Sequence, residues 1–229
     1  PEHFCSGWPH AIRWSATGCN AGRRGGNRAC NSCSPDMGSE KIALFGTSAD
    51  PPTRGHQLLL EGLLSRYSQV ATWASDNPMK QHGAALPLRA SLLGALVNQI
   101  QDQCLQLVQE LSSPYTMNTL KQAAQLWPEQ ELVFVVGSDL AEQIPRWRES
   151  ASWLPHCHLA IAPRQGWPLG NETLATLRRL GSRLDVLDLV IPATASSLQR
   201  RAPEQAQIPA SVWPLLVKHN LYGLSGSLC

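Results

Sequence analysis

The feature that most constrains this chain is an alternation of short apolar runs with longer stretches whose leucines recur at helical spacing. Residues 41–45, 70–74, 132–136, 158–162 and 186–191 read as five strands. Between them, residues 57–67, 86–111, 116–126 and 172–180 read as helices, and short helices at 196–201 and 209–219 close the chain. In the first helix Leu59, Leu60, Leu63, Leu64 and Tyr67 share one face. Gly94 is a weak point in the long helix over 86–111. Residues 132–136, LVFVV, are wholly apolar, the pattern of a strand covered on both faces. Strands alternating with helices predict an α/β fold with a mainly parallel five- to six-stranded sheet and helices on both faces. Right-handed crossovers bring the carboxyl ends of such strands to one edge, and ligands bind just outside that edge.

The chain has 229 residues, enough for one domain plus a tail, and 43% of them are hydrophobic, enough for a sizeable core. The formal net charge is +2. All of it lies in the first 36 residues, where Arg13, Arg23, Arg24 and Arg28 face Glu2 and Asp36. A balanced remainder lacks the basic footprint of a duplex-binding protein, so no nucleic-acid partner is expected. No apolar run reaches the ~18 residues of a membrane span, so no membrane partner is expected either. Residues 1–36 are rich in Gly, Arg, Asn and Ser and have no apolar periodicity. They read as a disordered leader, or as sequence upstream of a start at Met37, with the domain over 37–229; an Arg-rich transit peptide is the less favoured alternative. Cys30 and Cys33 have zinc-ligand spacing, but the further ligands would have to come from Cys5, Cys19, His3 or His10, a loose set that favours no zinc site. Cys104, Cys157 and Cys229 are scattered, as free thiols of a cytoplasmic protein are.

The segments at the strand ends carry the chemistry. After the first strand comes GTSADPPTRGH, residues 46–56. Gly46 allows close backbone approach, Thr47 and Ser48 offer hydroxyls, and His56 opens a helix whose unpaired N–H groups favour phosphate. After the second strand, Lys80 sits on a polar loop within reach of an anion or solvated. Arg89 reads as a loop-fixing residue. After the third, Gly137 and Ser138 turn the chain and Asp139 falls near a helix start, as a cap or as a ribose ligand. Trp147, between two arginines, is a half-buried anchor or a stacking platform. After the last strand, Ser196 and Ser197 open a helix and Arg200 lies one turn on, suited to clamping phosphate oxygens or solvated.

These residues resemble a known family. GTSADPPTRGH is similar to the G-G-T-F-D-P-x-H-x-G-H signature of the nucleotidyltransferases with a (T/H)xGH motif, and ASSLQR to their S-S-T-x-x-R signature. PYTMNTL, VVGSDLAEQIPRW, IAPRQGW and the close PASVWPLLVKHNLYG resemble segments of the nicotinate-nucleotide adenylyltransferases in order and rough spacing. Three departures stand out. Phe45 replaces a glycine, Thr53 replaces the first histidine, and Ser48-Ala49 stands where one Phe is usual, making the loop one residue longer. Trp213-Pro214 also interrupts the last helix.

The resemblance implies a Rossmann-like doubly wound fold and adenylyl transfer from ATP to nicotinate mononucleotide in NAD biosynthesis, in the cytoplasm, as a monomer or a homo-oligomer. It implies His56 at the α- and β-phosphates, Gly46, Thr47 and Ser48 beside them, and Ser196, Ser197 and Arg200 on the β- and γ-phosphates. Gly137 and Asp139 would hold adenosine or its ribose. Trp147 would stack on the pyridine with Thr116 nearby, and Lys80 would meet the mononucleotide phosphate. Mg²⁺ would be carried by ATP, with no protein metal site, so Asp50 would be structural rather than a metal ligand. The rival readings are another adenylyl- or cytidylyltransferase of the superfamily and a nucleotide-binding module without turnover.

Overall fold

A computed structural model describes residues 40–189, 191–192 and 194–224. The expectations for the leader, for its zinc-spaced cysteines and for a start at Met37 lie outside the described residues.

Six strands form one sheet: β1 (Lys41–Thr47), β2 (Gln69–Ala74), β3 (Leu105–Leu107), β4 (Glu131–Gly137), β5 (His158–Ala162) and β6 (Arg183–Val186). Their order is β3-β2-β1-β4-β5-β6, and every neighbouring pair is parallel. The helices are α1 (Arg54–Leu64), α2 (Leu86–Ile100), α3 (Thr116–Leu126), α4 (Ser138–Ala141), α5 (Ser150–Trp153), α6 (Asn171–Arg179), α7 (Ser196–Arg201) and α8 (Trp213–Lys218). None among the described residues is long and apolar enough to cross a membrane.

Alternate residues of the buried strands feed two cores. Ala43, Phe45, Val70, Val133, Val135 and Ala160 face one side, against Leu59, Leu60 and Leu63 of α1, Leu92, Leu93 and Leu96 of α2 and Leu216 of α8. Ile42, Leu44, Phe134, Val136, Leu159 and Ile161 face the other, against Leu120 and Ala123 of α3, Trp153 of α5 and Leu177 of α6. The period-2 alternation of a strand, with apolar residues in both registers, is what a doubly covered sheet requires. This is the Rossmann-like, doubly wound α/β fold.

Three expected elements are corrected. The helix expected over 86–111 ends at Ile100, because Gln101 turns left-handed (φ 56°). Asp102 then makes a tight turn, accepting from the Cys104 N–H through its side chain and from the Leu105 N–H through its carbonyl. The chain continues as the edge strand β3, too short to show its own periodicity. The strand expected over 186–191 lies earlier, at Arg183–Val186, where it is an exposed, polar edge strand. Leu187, Leu189 and Ile191 are apolar because they pack on the core, while the backbone still bonds the β5 side at two points, Leu187 N–H to the Ile161 carbonyl at 2.8 Å and Ile191 N–H to the Pro163 carbonyl at 3.1 Å. The last helix starts at Trp213 rather than 209, since Pro214 lacks an N–H and fits only in a first turn.

The strand order reverses between β1 and β4. From β1 the chain moves outward to β2 and β3, then returns to lay β4 on the other side of β1. Connections leaving β1 and β4 therefore pass to opposite faces and open a crevice at their carboxyl ends.

Candidate active site

The segment after β1 forms the first wall of that crevice. Thr47 Oγ1 accepts the Ala49 N–H at 3.3 Å. Ala49 is fully buried and takes a left-handed turn (φ 47°), which absorbs the extra residue of this loop. Arg89, 1% exposed, pins the loop by donating to the Ser48, Ser75 and Ala84 carbonyls at 2.7, 2.9 and 3.1 Å. Gly46 leaves room for a core side chain. A Cβ there would come within 2.7 Å of the Trp73 indole, which fills the space.

His56 is the third residue of α1, and Thr53 is its N-cap. The Thr53 N–H donates to His56 Nδ1 at 3.1 Å, and the Thr53 hydroxyl lies 2.9 Å from the same nitrogen. A backbone N–H can only donate, so Nδ1 is an acceptor and the neutral ring carries its proton on Nε2. Burial pushes the His56 pKa down to about 4, and the charges of Arg164 and Lys80 push in the same direction. The ring is therefore neutral at pH 7, with an Nε2–H donor.

The second wall is the segment leading into α7. Ser196 Oγ donates to the Pro51 carbonyl at 2.9 Å, which commits that hydroxyl to the first loop. Arg200 Nη1 donates to the Asp50 carbonyl at 3.0 Å and lies 3.4 Å from Asp50 Oδ2. The Thr53 hydroxyl is also 3.4 Å from the Thr194 carbonyl. The amino-terminal segments of α1 and α7 are thus bonded to each other, with Ser197 exposed beside them.

The third wall follows β4 and β5. Ser138 Oγ donates to the Trp167 carbonyl at 2.8 Å and accepts the Arg164 N–H at 3.0 Å. Asp139 is not a cap; its Oδ2 pairs with Arg164 Nη1 at 3.1 Å. A Cβ on Gly137 would collide with Asp139 Oδ1, so a side chain there would displace that carboxylate. Arg164 Nη2 reaches the Thr194 carbonyl at 3.2 Å, so one guanidinium ties the β4 turn to the segment before α7. Lys80 is exposed on the loop after β2. Crowding by surrounding protein lowers its pKa; Asp139 opposes this, and Arg164 and Arg200 add to it. The charges of Lys80 and Arg164 thus act on His56, and those of Arg164 and Arg200 act on Lys80.

Thr116 is the first residue of α3, and Trp147 follows the turn Ile144–Arg146. Trp147 is half-buried with its ring 6.3 Å from that of Trp153, and Arg148 lies 4.6 Å over the Tyr115 ring, joining the two segments. A cavity of about 340 Å³, lined by Ser112, Ser113, Pro114, Asn118, Lys121 and Gln122, lies beyond Tyr115 and includes none of the phosphate-side residues.

The sequence pattern expects His56, Lys80, Asp139, Ser196, Ser197 and Arg200 after strand ends, where the structure has them, but it gives Arg164 no role. The signal was available: Arg164 follows β5 directly, and the strand-end rule applies there as it does to β1 and β4.

Residues 44–227 match the family described as Cytidylyltransferase-like. The chain belongs to that family. A relative from Synechocystis sp. named "Probable nicotinate-nucleotide adenylyltransferase" is 36% identical over 197 residues, covering 80% of this chain and 98% of its own. Two solved structures of a Plasmodium falciparum nicotinic acid mononucleotide adenylyltransferase share the fold. The one complexed with NaAD has a TM-score of 0.65 at 19% identity, and the one complexed with APC 0.63 at 20%; each alignment covers 81% of this chain and 98% of theirs. Within this cytidylyltransferase-like frame, β1 with α1 and the segment before α7 form the crevice just described.

Proposed function

We propose that this protein transfers the adenylyl group of ATP to nicotinate mononucleotide, forming deamido-NAD and pyrophosphate. The reading is supported by the relative from Synechocystis, by the Plasmodium fold neighbours, and above all by one local observation. His56 is held neutral, its Nε2–H available, in a crevice where Lys80, Arg164 and Arg200 gather and two helix amino-termini meet.

A mononucleotide phosphate oxygen attacks the α-phosphorus, and the bond from that phosphorus to the α–β bridging oxygen breaks. The attacking group is already an anion, so no general base and no protein nucleophile are needed. Catalysis then rests on alignment and on stabilising charge as it moves to the leaving pyrophosphate. His56 Nε2–H donates to the α- and β-phosphoryl oxygens. Arg200, the Ser197 hydroxyl and the N–H groups of Ser196 and Ser197 hold the β- and γ-phosphates, with Thr47 and Ser48 alongside. Asp139 and Gly137 border the ribose, and Arg164 compensates charge next to them. Lys80 meets the mononucleotide phosphate, and Trp147 and Thr116 flank its pyridine.

Mg²⁺ neutralises charge on polyphosphate oxygens when bound. The crevice carboxylates Asp50 and Asp139 are committed to Arg200 and Tyr222 and to Arg164 respectively, so phosphate oxygens and water would be its ligands. Among the described residues no cluster of three or more His, Cys, Asp or Glu is placed to hold a metal. The reaction is tested by pyrophosphate release from nicotinate mononucleotide, ATP and Mg²⁺, with CTP and nicotinamide mononucleotide in parallel. Release with ATP and the acid mononucleotide is expected; folded protein that releases none would favour a nucleotide-binding module.

A further inference from the structure

Near the end of the described chain, Asn220 (φ 50°) and Tyr222 (φ 56°) are both left-handed, and Gly223 follows at φ 79°. Residues with a Cβ resist that conformation and hold it only where their surroundings insist. One such contact of Tyr222 is with Asp50. The Tyr222 hydroxyl donates to Asp50 Oδ1 at 2.6 Å, across 172 residues of sequence. Burial, and then the Asp50 carboxylate, raise the Tyr222 pKa, so the phenol remains a donor.

Asp50 is fully buried and organises four segments. Its Oδ2 accepts the Gly83 N–H at 2.8 Å, lies 3.6 Å from His82 Nδ1, and lies 3.4 Å from Arg200 Nη1. The last distance is long for a charge-assisted bond, which runs at roughly 2.7–2.9 Å. Tyr222 and Gly83 already take much of the acceptor capacity, so the carboxylate steadies Arg200 without seizing it. The packing has no slack. A methyl group on Gly83 would come within 2.8 Å of both Arg200 Cδ and Tyr222 Cε1.

We infer that Tyr222 is a positioning residue for the transfer reaction, holding the Asp50 carboxylate so that Arg200 stays aimed at the polyphosphate of the nucleotide. The inference rests on the reading of Arg200 as a phosphate clamp. Without the phenol hydroxyl, Asp50 Oδ1 loses its donor, and the carboxylate pulls Arg200 away from the nucleotide.

The test is a double-mutant cycle in steady-state kinetics with ATP, nicotinate mononucleotide and Mg²⁺. Tyr222→Phe keeps the ring and its packing. It should raise the ATP KM about 10-fold, the scale of one hydrogen bond to a charged acceptor, and leave the mononucleotide KM unchanged. Arg200→Ala alone should raise the ATP KM further, and adding Tyr222→Phe to it should change nothing more. Gly83→Ala, which retains the hydroxyl but crowds Arg200, should reproduce the ATP-specific effect and serves if Tyr222→Phe does not fold. If Arg200→Ala leaves the ATP KM unchanged, the clamp reading itself fails. If Arg200→Ala is impaired but Tyr222→Phe only lowers the melting temperature, or the two effects multiply, Tyr222 is a structural residue and the inference is overturned.

Discussion

Protonating His56 should cost the folded protein stability, and replacing His56 should remove that cost. The ring titrates near 6.5 in an unfolded chain and at about 4 here. Between those values the unfolded chain binds a proton that the folded chain refuses, so stability rises with pH through this window and is lost on acidification. At 1.36 kcal/mol per pH unit the shift corresponds to about 3 kcal/mol. The ring keeps some contact with solvent, which reduces the expected loss to ~2 kcal/mol. The assay is urea unfolding, followed by tryptophan fluorescence, at pH values from 7.5 to 4 for the wild type and for His56→Gln. Groups common to both proteins cancel in the difference. The wild type should lose ~2 kcal/mol relative to the variant over that range. A difference that stays flat, or that grows in favour of the wild type as pH falls, would refute a His56 held neutral by its surroundings.

Three further outcomes follow from the same geometry. His56→Ala should lower kcat by at least ~100-fold, the scale of losing one preorganised donor at developing charge; near-normal turnover in the pyrophosphate assay would remove the role given to His56. Arg164→Met should raise the His56 pKa, because the guanidinium is one of the charges that depress it, and the shift can be read from the imidazole resonances in an NMR titration. Asp50→Ala should destabilise the fold by about 3 kcal/mol in chemical denaturation, since it strands the Tyr222 hydroxyl and the Gly83 N–H, while Arg200 keeps its bond to the residue-50 carbonyl.

The central strands were legible because burial on both faces writes itself as an unbroken apolar run, as in LVFVV of β4. The edge strands were not. β3 has three residues, and β6 reads RLDV with most side chains exposed, so neither leaves an apolar signature. The helical period over 86–111 ran on past Ile100, and only the left-handed Gln101 betrays the break, which no pattern of hydrophobicity encodes. The candidate site was readable where its residues cluster in short segments, as in residues 46–56 and 195–200. It was unreadable where partners meet across the chain. Tyr222 on Asp50, Arg164 on Asp139 and the Thr194 carbonyl on Thr53 are products of topology, because the switch point between β1 and β4 gathers loops that sequence keeps far apart.

The account stands on a shared anion site between α1 and the segment opening α7. A crystal structure with a non-hydrolysable ATP analogue and Mg²⁺ measures this directly. The account predicts the polyphosphate lying between the two helix amino-termini, with His56 Nε2 at hydrogen-bond distance from an α- or β-phosphoryl oxygen and the Arg200 guanidinium on the β- or γ-phosphate. A triphosphate bound elsewhere, or one whose nearest approach to the imidazole leaves no hydrogen bond to Nε2, would contradict it.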